Sequence, residues 1–288
     1  MKRIGILLIL VASVAFSQYV VEVQVVDLQV SVVDSAGNYL TELAPEDFEV
    51  QENGVLQEVL DLETIRQPFS IGILVDTSSS MERSQKLALK ATEDFVYSLH
   101  PDDQFFLMAF SADLKVREFA AASRRTEMNL DGIKTGGSTR LYDAVIAAVD
   151  YLKGAKYPHR ALFIISDGVN TSGKGSLKQA IETAQRSKVL VYSLVIEKRE
   201  SDLLTLTSLS ESTGGSFFVL YGEFPRLQAA YQKIAADLAN RFTLYYRSTS
   251  DYTGKRKPEI KLQFKRPGFR VHYQKTYWPE PKNPTGGE

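Results

Sequence analysis

From Tyr19 to about Ile65, apolar and polar residues alternate with a period of two, as in strands that bury one face. Val21, Val23 and Val25 alternate with Glu22 and Gln24; Leu28, Val30 and Val32 follow, with Gln29 and Ser31 between them. Ala36-Gly37-Asn38 reads as a turn, and Asn53-Gly54, between Phe48-Glu49-Val50 and the run from Val55 to Val59, predicts a tight hairpin. At Phe69 the texture changes. Continuous apolar runs appear at Ile71 to Val75, Phe105 to Phe110, Leu162 to Ile165 and Val189 to Ile196. Strands buried on both faces have this composition, and parallel sheets bury both faces.

Helical stripes separate these runs. Leu141, Val145, Ala148 and Leu152 share one face, as do Leu177, Ala180, Ile181 and Ala184. Phe224, Leu227, Tyr231, Ile234 and Leu238 form a third, longer stripe. After Arg241 the alternation returns in Phe242-Leu244-Tyr246, Ile260-Leu262-Phe264 and Phe269-Val271-Tyr273. The expected fold is α/β: a doubly wound, mostly parallel, Rossmann-like sheet flanked by helices over residues 68–240. The β segments 18–66 and 241–278 each hold too few strands to bury a face alone. They are therefore expected to pack together as a small β domain, with the α/β unit inserted between them; the alternative is that each caps that unit separately. Residues 279–288, rich in Pro and Gly, read as a disordered tail.

The first residues carry a different signal. Lys2 and Arg3 precede an apolar run from Ile4 to Phe16, and Ala15 and Ser17 place small residues before a cut at Gln18. These are the parts of a signal peptide over residues 1–17, and the run is short for a membrane span; the alternative is an N-terminal anchor helix left uncleaved. The mature chain is expected to be secreted or periplasmic, without a membrane span, and the absence of cysteine excludes a lipoprotein anchor. Composition narrows the chemistry further. With 34 Lys+Arg against 35 Asp+Glu, the chain lacks the basic excess of a nucleic-acid binder. The lack of cysteine also excludes disulfides, thiolate metal sites and a cysteine nucleophile.

Ligands of open parallel sheets lie at the carboxyl ends of the strands. Asp76-Thr77-Ser78-Ser79-Ser80 follows the first apolar run, and Ser166-Asp167-Gly168 follows the third. Gly136-Gly137-Ser138-Thr139 opens the helix that begins at Leu141. Hydroxyls and carboxylates without His or Cys suit hard cations: Mg²⁺, Mn²⁺ or Ca²⁺. Singly, these pieces also read as helix caps and turns.

In this order the three pieces resemble the metal-ion-dependent adhesion site of the von Willebrand factor type A family, over Phe69 to about Asn240. The resemblance implies direct ligation by Ser78 and Ser80, with Thr139 ligating directly in one state and through water in another. It also implies that Asp76 and Asp167 hold the ion's waters, that Gly137 and Gly168 allow close backbone approach, and that the last helix, Phe224 to Asn240, can shift on ligation. Asp143 is either a supporting group behind Thr139 or a solvated or capping carboxylate. The flanking segments, from Asp34-Ser35-Ala36-Gly37 through Asn53-Gly54 and at Pro267-Gly268-Phe269-Arg270-Val271, resemble exported acidobacterial-type proteins related to this family.

Enzyme readings fit less well. Aspartate-based phosphatases commonly carry a second Asp where Ser78 stands, and Ser is a poor general acid. Thr171 to Ser176 lacks the order of a phosphate loop and reads as a surface loop feeding a helix. His100, His159 and His272 have no paired carboxylate motif and receive no role. The expected function is therefore non-enzymatic: a partner protein supplies a Glu or Asp carboxylate to a bound divalent cation. The alternatives are a Mg²⁺-dependent phosphatase, a structural envelope component with a silent site, and an assembly subunit that uses its β segments.

Overall fold

The computed structural model describes residues 24–65, 67–123, 130, 133–196, 200–220, 224–250 and 257–279. The leader expected over 1–17, the positions Val21 and Val23, and the tail beyond Pro279 lie outside the described residues. In chain order the elements are β1 (Gln24–Asp34), β2 (Phe48–Glu52), β3 (Val55–Thr64), β4 (Phe69–Asp76), α1 (Gln85–Ser98), β5 (Gln104–Phe110) and β6 (Leu114–Ala121). Next come α2 (Leu141–Leu152), β7 (His159–Ser166), α3 (Leu177–Arg186), β8 (Val189–Ile196), α4 (Glu200–Thr213) and β9 (Phe217–Leu220). The chain closes with α5 (Phe224–Ala239), β10 (Phe242–Ser248), β11 (Ile260–Phe264) and β12 (Phe269–His272).

One sheet has the order β6-β5-β4-β7-β8-β9. Its pairings are parallel except at the edge, where β6 runs antiparallel to β5. The apolar runs become strands buried on both faces: every residue of β4 and of β8 is buried. One face packs on α1 and α5, through Phe95, Tyr231, Ile234 and Leu238; the other packs on α2, α3 and α4. Helix α1 lacks an apolar stripe in the sequence because its buried face is mostly small, with Ala88, Ala91 and Thr92 beside Phe95 and Val96. Phe95 then stacks on Phe163 at 4.0 Å. The edge strand β6 also falls outside the sequence pattern, since Leu114 to Ala121 shows no continuous apolar run.

The second sheet, β11-β2-β3-β10-β1-β12, takes three strands from each end of the chain, and its pairings are antiparallel. The two β segments therefore pack together, with the α/β unit between them in sequence. Alternation along β1 places Val26, Leu28, Val30 and Val32 against Phe242, Leu244, Tyr246, Ile260 and Leu262 in one core. Burying each such side chain contributes roughly 1.5–3 kcal/mol. The hairpin at Asn53-Gly54 is observed, with φ of 50° and 82°, the two positive values that a type I′ turn requires.

A buried polar clasp joins the two sheets. Asp237, near the end of α5, accepts hydrogen bonds from Ser31 of β1 and Tyr192 of β8, and pairs with Arg241 at 2.7 Å. Arg241 also donates to the Gly214 carbonyl, at 2.5 Å. Both charged side chains are 0% exposed. Burial alone would raise the Asp237 carboxyl, but the Arg241 guanidinium, helped by His272 and Ser31, holds it well below the usual carboxylate range.

Candidate metal-binding face

Strands β4 and β7 are central neighbours in parallel register, with Val75 opposite Ile165. Their carboxyl ends therefore deliver Asp76 and Ser166 side by side. Ser166 Oγ donates to Asp76 Oδ2 at 2.6 Å, and the Ser78 amide donates to Asp76 Oδ1 at 2.9 Å. Asp76 is 1% exposed, and no cation pairs with it among the described residues. Burial pushes its carboxyl up to about 6, against the hydrogen bonds from Ser166 and Ser78, and the neighbouring charge of Asp167 adds to the rise. Unlike Asp237, this carboxylate is buried without a countercharge among the described residues.

The loop after β4 turns Ser78 and Ser80 toward each other, with their Oγ atoms 3.0 Å apart. Two adjacent oxygens of a Mg²⁺ octahedron with bonds near 2.1 Å lie at about the same separation. The loop before α2 is stitched to this segment: Ser79 N and Oγ both donate to the Gly137 carbonyl at 3.1 Å, and Gly136 N donates to the Thr77 carbonyl. Thr139, buried at the start of α2, is held from the other side. Its amide donates to Thr171 Oγ1 at 2.8 Å, and its carbonyl accepts from the amides of Thr171 and Ser172. Asp167, half-buried, accepts from the Val169 amide at 3.0 Å. The three segments singled out in the sequence thus meet on one face.

Of the two expectations for Asp143, the contacts match a supporting group behind Thr139, acting through a loop. Arg140 donates to its Oδ2 at 2.7 Å, and the amides of Gly175 and Lys174 donate to it from the loop after β7. Burial raises this carboxyl, but these donors outweigh it and the net shift is downward. Asp143 anchors the loop that holds Thr139. A Cβ on Gly173 would lie 2.7 Å from Asp143 Oδ2, at a φ of +107° that disfavours side chains, so glycine is needed there. That loop ends in the Ser176 cap of α3, whose Oγ accepts from the Gln179 amide, so it feeds a helix as expected. Sequence reasoning gave no role to Ser166, Thr171 or Ser172; the available signal was a hydroxyl at or just beyond the end of a central strand.

Among the described residues, no group of three or more His, Cys, Asp or Glu is gathered for metal binding. The face offers two carboxylates, with hydroxyls as its other donors, and that hard-oxygen set fits a small divalent cation. At the far clasp, Ser216, His272 and Asp237 have the residue types of a nucleophilic triad. Ser216 Oγ, at 3.4 Å, and Asp237 Oδ1, at 3.9 Å, both face Nδ1 of His272. A triad needs its two partners on opposite ring nitrogens.

A mostly parallel sheet flanked by helices, with hydroxyl and carboxylate groups converging at its carboxyl edge, defines a doubly wound α/β domain. Residues 70–233 match the von Willebrand factor type A domain family, and the chain belongs to that family. Proteins of this family commonly serve as protein-interaction modules. No curated protein matches the chain. Among solved structures, an aerotolerance-related membrane protein from Bacteroides fragilis is 15% identical, covering 59% of this chain and 98% of its own, with a TM-score of 0.46. BatB from Bacteroides thetaiotaomicron is 17% identical with the same coverages and a TM-score of 0.47. A von Willebrand factor type A protein from Catenulispora acidiphila is 12% identical, covering 78% and 70%, at a TM-score of 0.47. Among the described residues, no helix is long and apolar enough to cross a membrane.

Proposed function

We propose that this chain is an exported, non-enzymatic module that binds a partner protein through a divalent cation, Mg²⁺ or else Mn²⁺ or Ca²⁺. Ser78, Ser80 and Thr139 would hold the ion through their hydroxyls, with Asp76 and Asp167 positioning its waters, as in a complete metal-ion-dependent adhesion site. The observation that carries this reading is the buried Asp76 carboxylate, which lacks a cation beside two hydroxyls set 3.0 Å apart. When bound, the ion supplies a Lewis acid that accepts a Glu or Asp carboxylate from the partner. The protein's own part is to hold the Asp76 carboxylate through Ser166 and the Ser78 amide and to fix the Thr139 backbone through Thr171 and Ser172. A 270 Å³ cleft lined by Thr77, Ser111, Asp113 and Lys134 adjoins the face and gives the partner a foothold beside the ion.

Thr139→Ala in saturating Mg²⁺ tests the reading. Calorimetry should show that much of the metal affinity remains. Partner capture from envelope extract, abolished by EDTA in the wild type, should also be largely lost in the variant. Undiminished capture by Thr139→Ala would place the interface elsewhere, and a wild-type chain that binds neither Mg²⁺ nor Mn²⁺ would remove the site.

A further inference from the structure

Strand β1 pairs with β10 along Gln24–Val30 on one side, whereas on the other side β12 pairs only with Ser31–Asp34. Among the described residues, no strand covers the second edge of Gln24–Val30. A cleft of about 140 Å³ is lined by six consecutive residues there, Gln24 to Gln29. Successive strand side chains point to opposite faces, so a cleft that touches all six runs along the edge itself. Six residues span about 20 Å at roughly 3.3 Å per residue, so the edge is long enough to pair with one extended chain lying along it.

We propose that this edge docks an extended peptide segment of a partner protein, added as a further strand and carrying an acidic side chain. The slot is lined with unmet hydrogen-bonding groups. Among the described residues, Gln29 Oε1, Gln185 Oε1 and Trp278 Nε1 are buried without a partner. Gln185 is 5% exposed, and its Nε2 already donates to the Ser212 carbonyl, which leaves Oε1 to accept from a peptide amide. Charge selects the side chain. Arg186 lies 3.3 Å over the Trp278 ring and is exposed; Glu182, one turn earlier on α3, feels its charge but makes its ion pair with Lys257, at 2.8 Å. Lys188 and Asp27 pair across the slot, both about half exposed, and exposed pairs of this kind open readily. Strand addition draws affinity from backbone hydrogen bonds and specificity from alternate side chains. Arg186 and Lys188 precede β8, so the slot lies at the amino ends of the parallel strands, opposite the proposed metal face.

The test pans random ten-residue displayed peptides against the full chain in EDTA, which separates this edge from metal-dependent binding. Enriched peptides should alternate β-branched or aromatic residues and carry a fixed Asp or Glu. A synthetic copy should slow exchange of those amides of residues 24–30 that face away from β10, and Arg186→Glu should weaken its binding by about tenfold. Replacing the peptide's acid with lysine should restore binding to that variant. No enrichment, or binding that leaves those amides exchanging at their free rate, overturns the proposal. A dimer that protects the same amides without peptide overturns it as well, because the edge then belongs to a second copy.

Discussion

Asp76 and Asp237 are both buried carboxylates, and their surroundings push them in opposite directions. Asp237, at the junction of the sheets, has Arg241 at 2.7 Å together with Ser31, Tyr192 and His272, and stays ionised far below the usual range. Asp76, at the strand ends, is held among the described residues by Ser166 and Ser78, and burial raises it to about 6. The protein completes the first charge itself and leaves the second without a cation. The clasp that joins the two sheets contains its own countercharge; the proposed metal face would take its countercharge from a soluble ion.

The contrast breaks most visibly at the clasp. Asp237→Asn leaves the Arg241 guanidinium buried without its partner and should cost about 3–5 kcal/mol, read from urea midpoints. The double variant Asp237→Leu with Arg241→Met should recover most of that loss. If the single variant unfolds at the wild-type midpoint, the clasp does not hold the sheets.

Acid sharpens the same point. A carboxyl whose folded value is depressed leaves the unfolded state binding more protons, so stability rises with pH through that window. The clasp should contribute fully above an ordinary carboxylate value of about 4 and fade as pH falls toward the folded value. Asp237→Asn should flatten this part of the pH–stability curve, and an unchanged slope would deny the depression.

At the other carboxylate the losses should be in binding. Asp76→Asn preserves the shape and lets Ser166 turn to accept, so metal-free stability should change by less than about 1 kcal/mol. Mg²⁺ affinity by calorimetry should fall about 10–100-fold. A large stability loss would make Asp76 a second structural carboxylate and erase the distinction. The smallest effect should come from Ser176→Ala, which removes the cap of α3 at a cost of about 1 kcal/mol in thermal melts. Metal affinity should not follow it, since the loop holding Thr139 is pinned separately by Asp143.

Much of this was legible in the chain. Continuous apolar runs marked β4, β5, β7 and β8, alternation marked β1 and β10 to β12, and Asn53-Gly54 marked its hairpin, because each pattern is local and reports which faces are buried. Strand-end chemistry singled out the segments Asp76 to Ser80 and Ser166 to Gly168, and the glycine-rich opening of α2 singled out Gly136 to Thr139, because each is visible without its neighbours; the family resemblance then chose Asp76, Ser78, Ser80, Thr139 and Asp167 within them. Helix α1 escaped because its buried face is mostly small.

Only the tertiary structure decided which carboxylate would meet a cation. Asp237 and Arg241 stand one helical turn apart in the sequence and look like an ordinary surface pair, yet Ser31 reaches them from 206 residues away and Tyr192 from 45. The anchoring by Asp143 and the uncovered edge of β1 also arise where distant segments meet. Periodicity along a chain encodes burial, whereas the balance of charge inside a fold depends on contacts that no local pattern records.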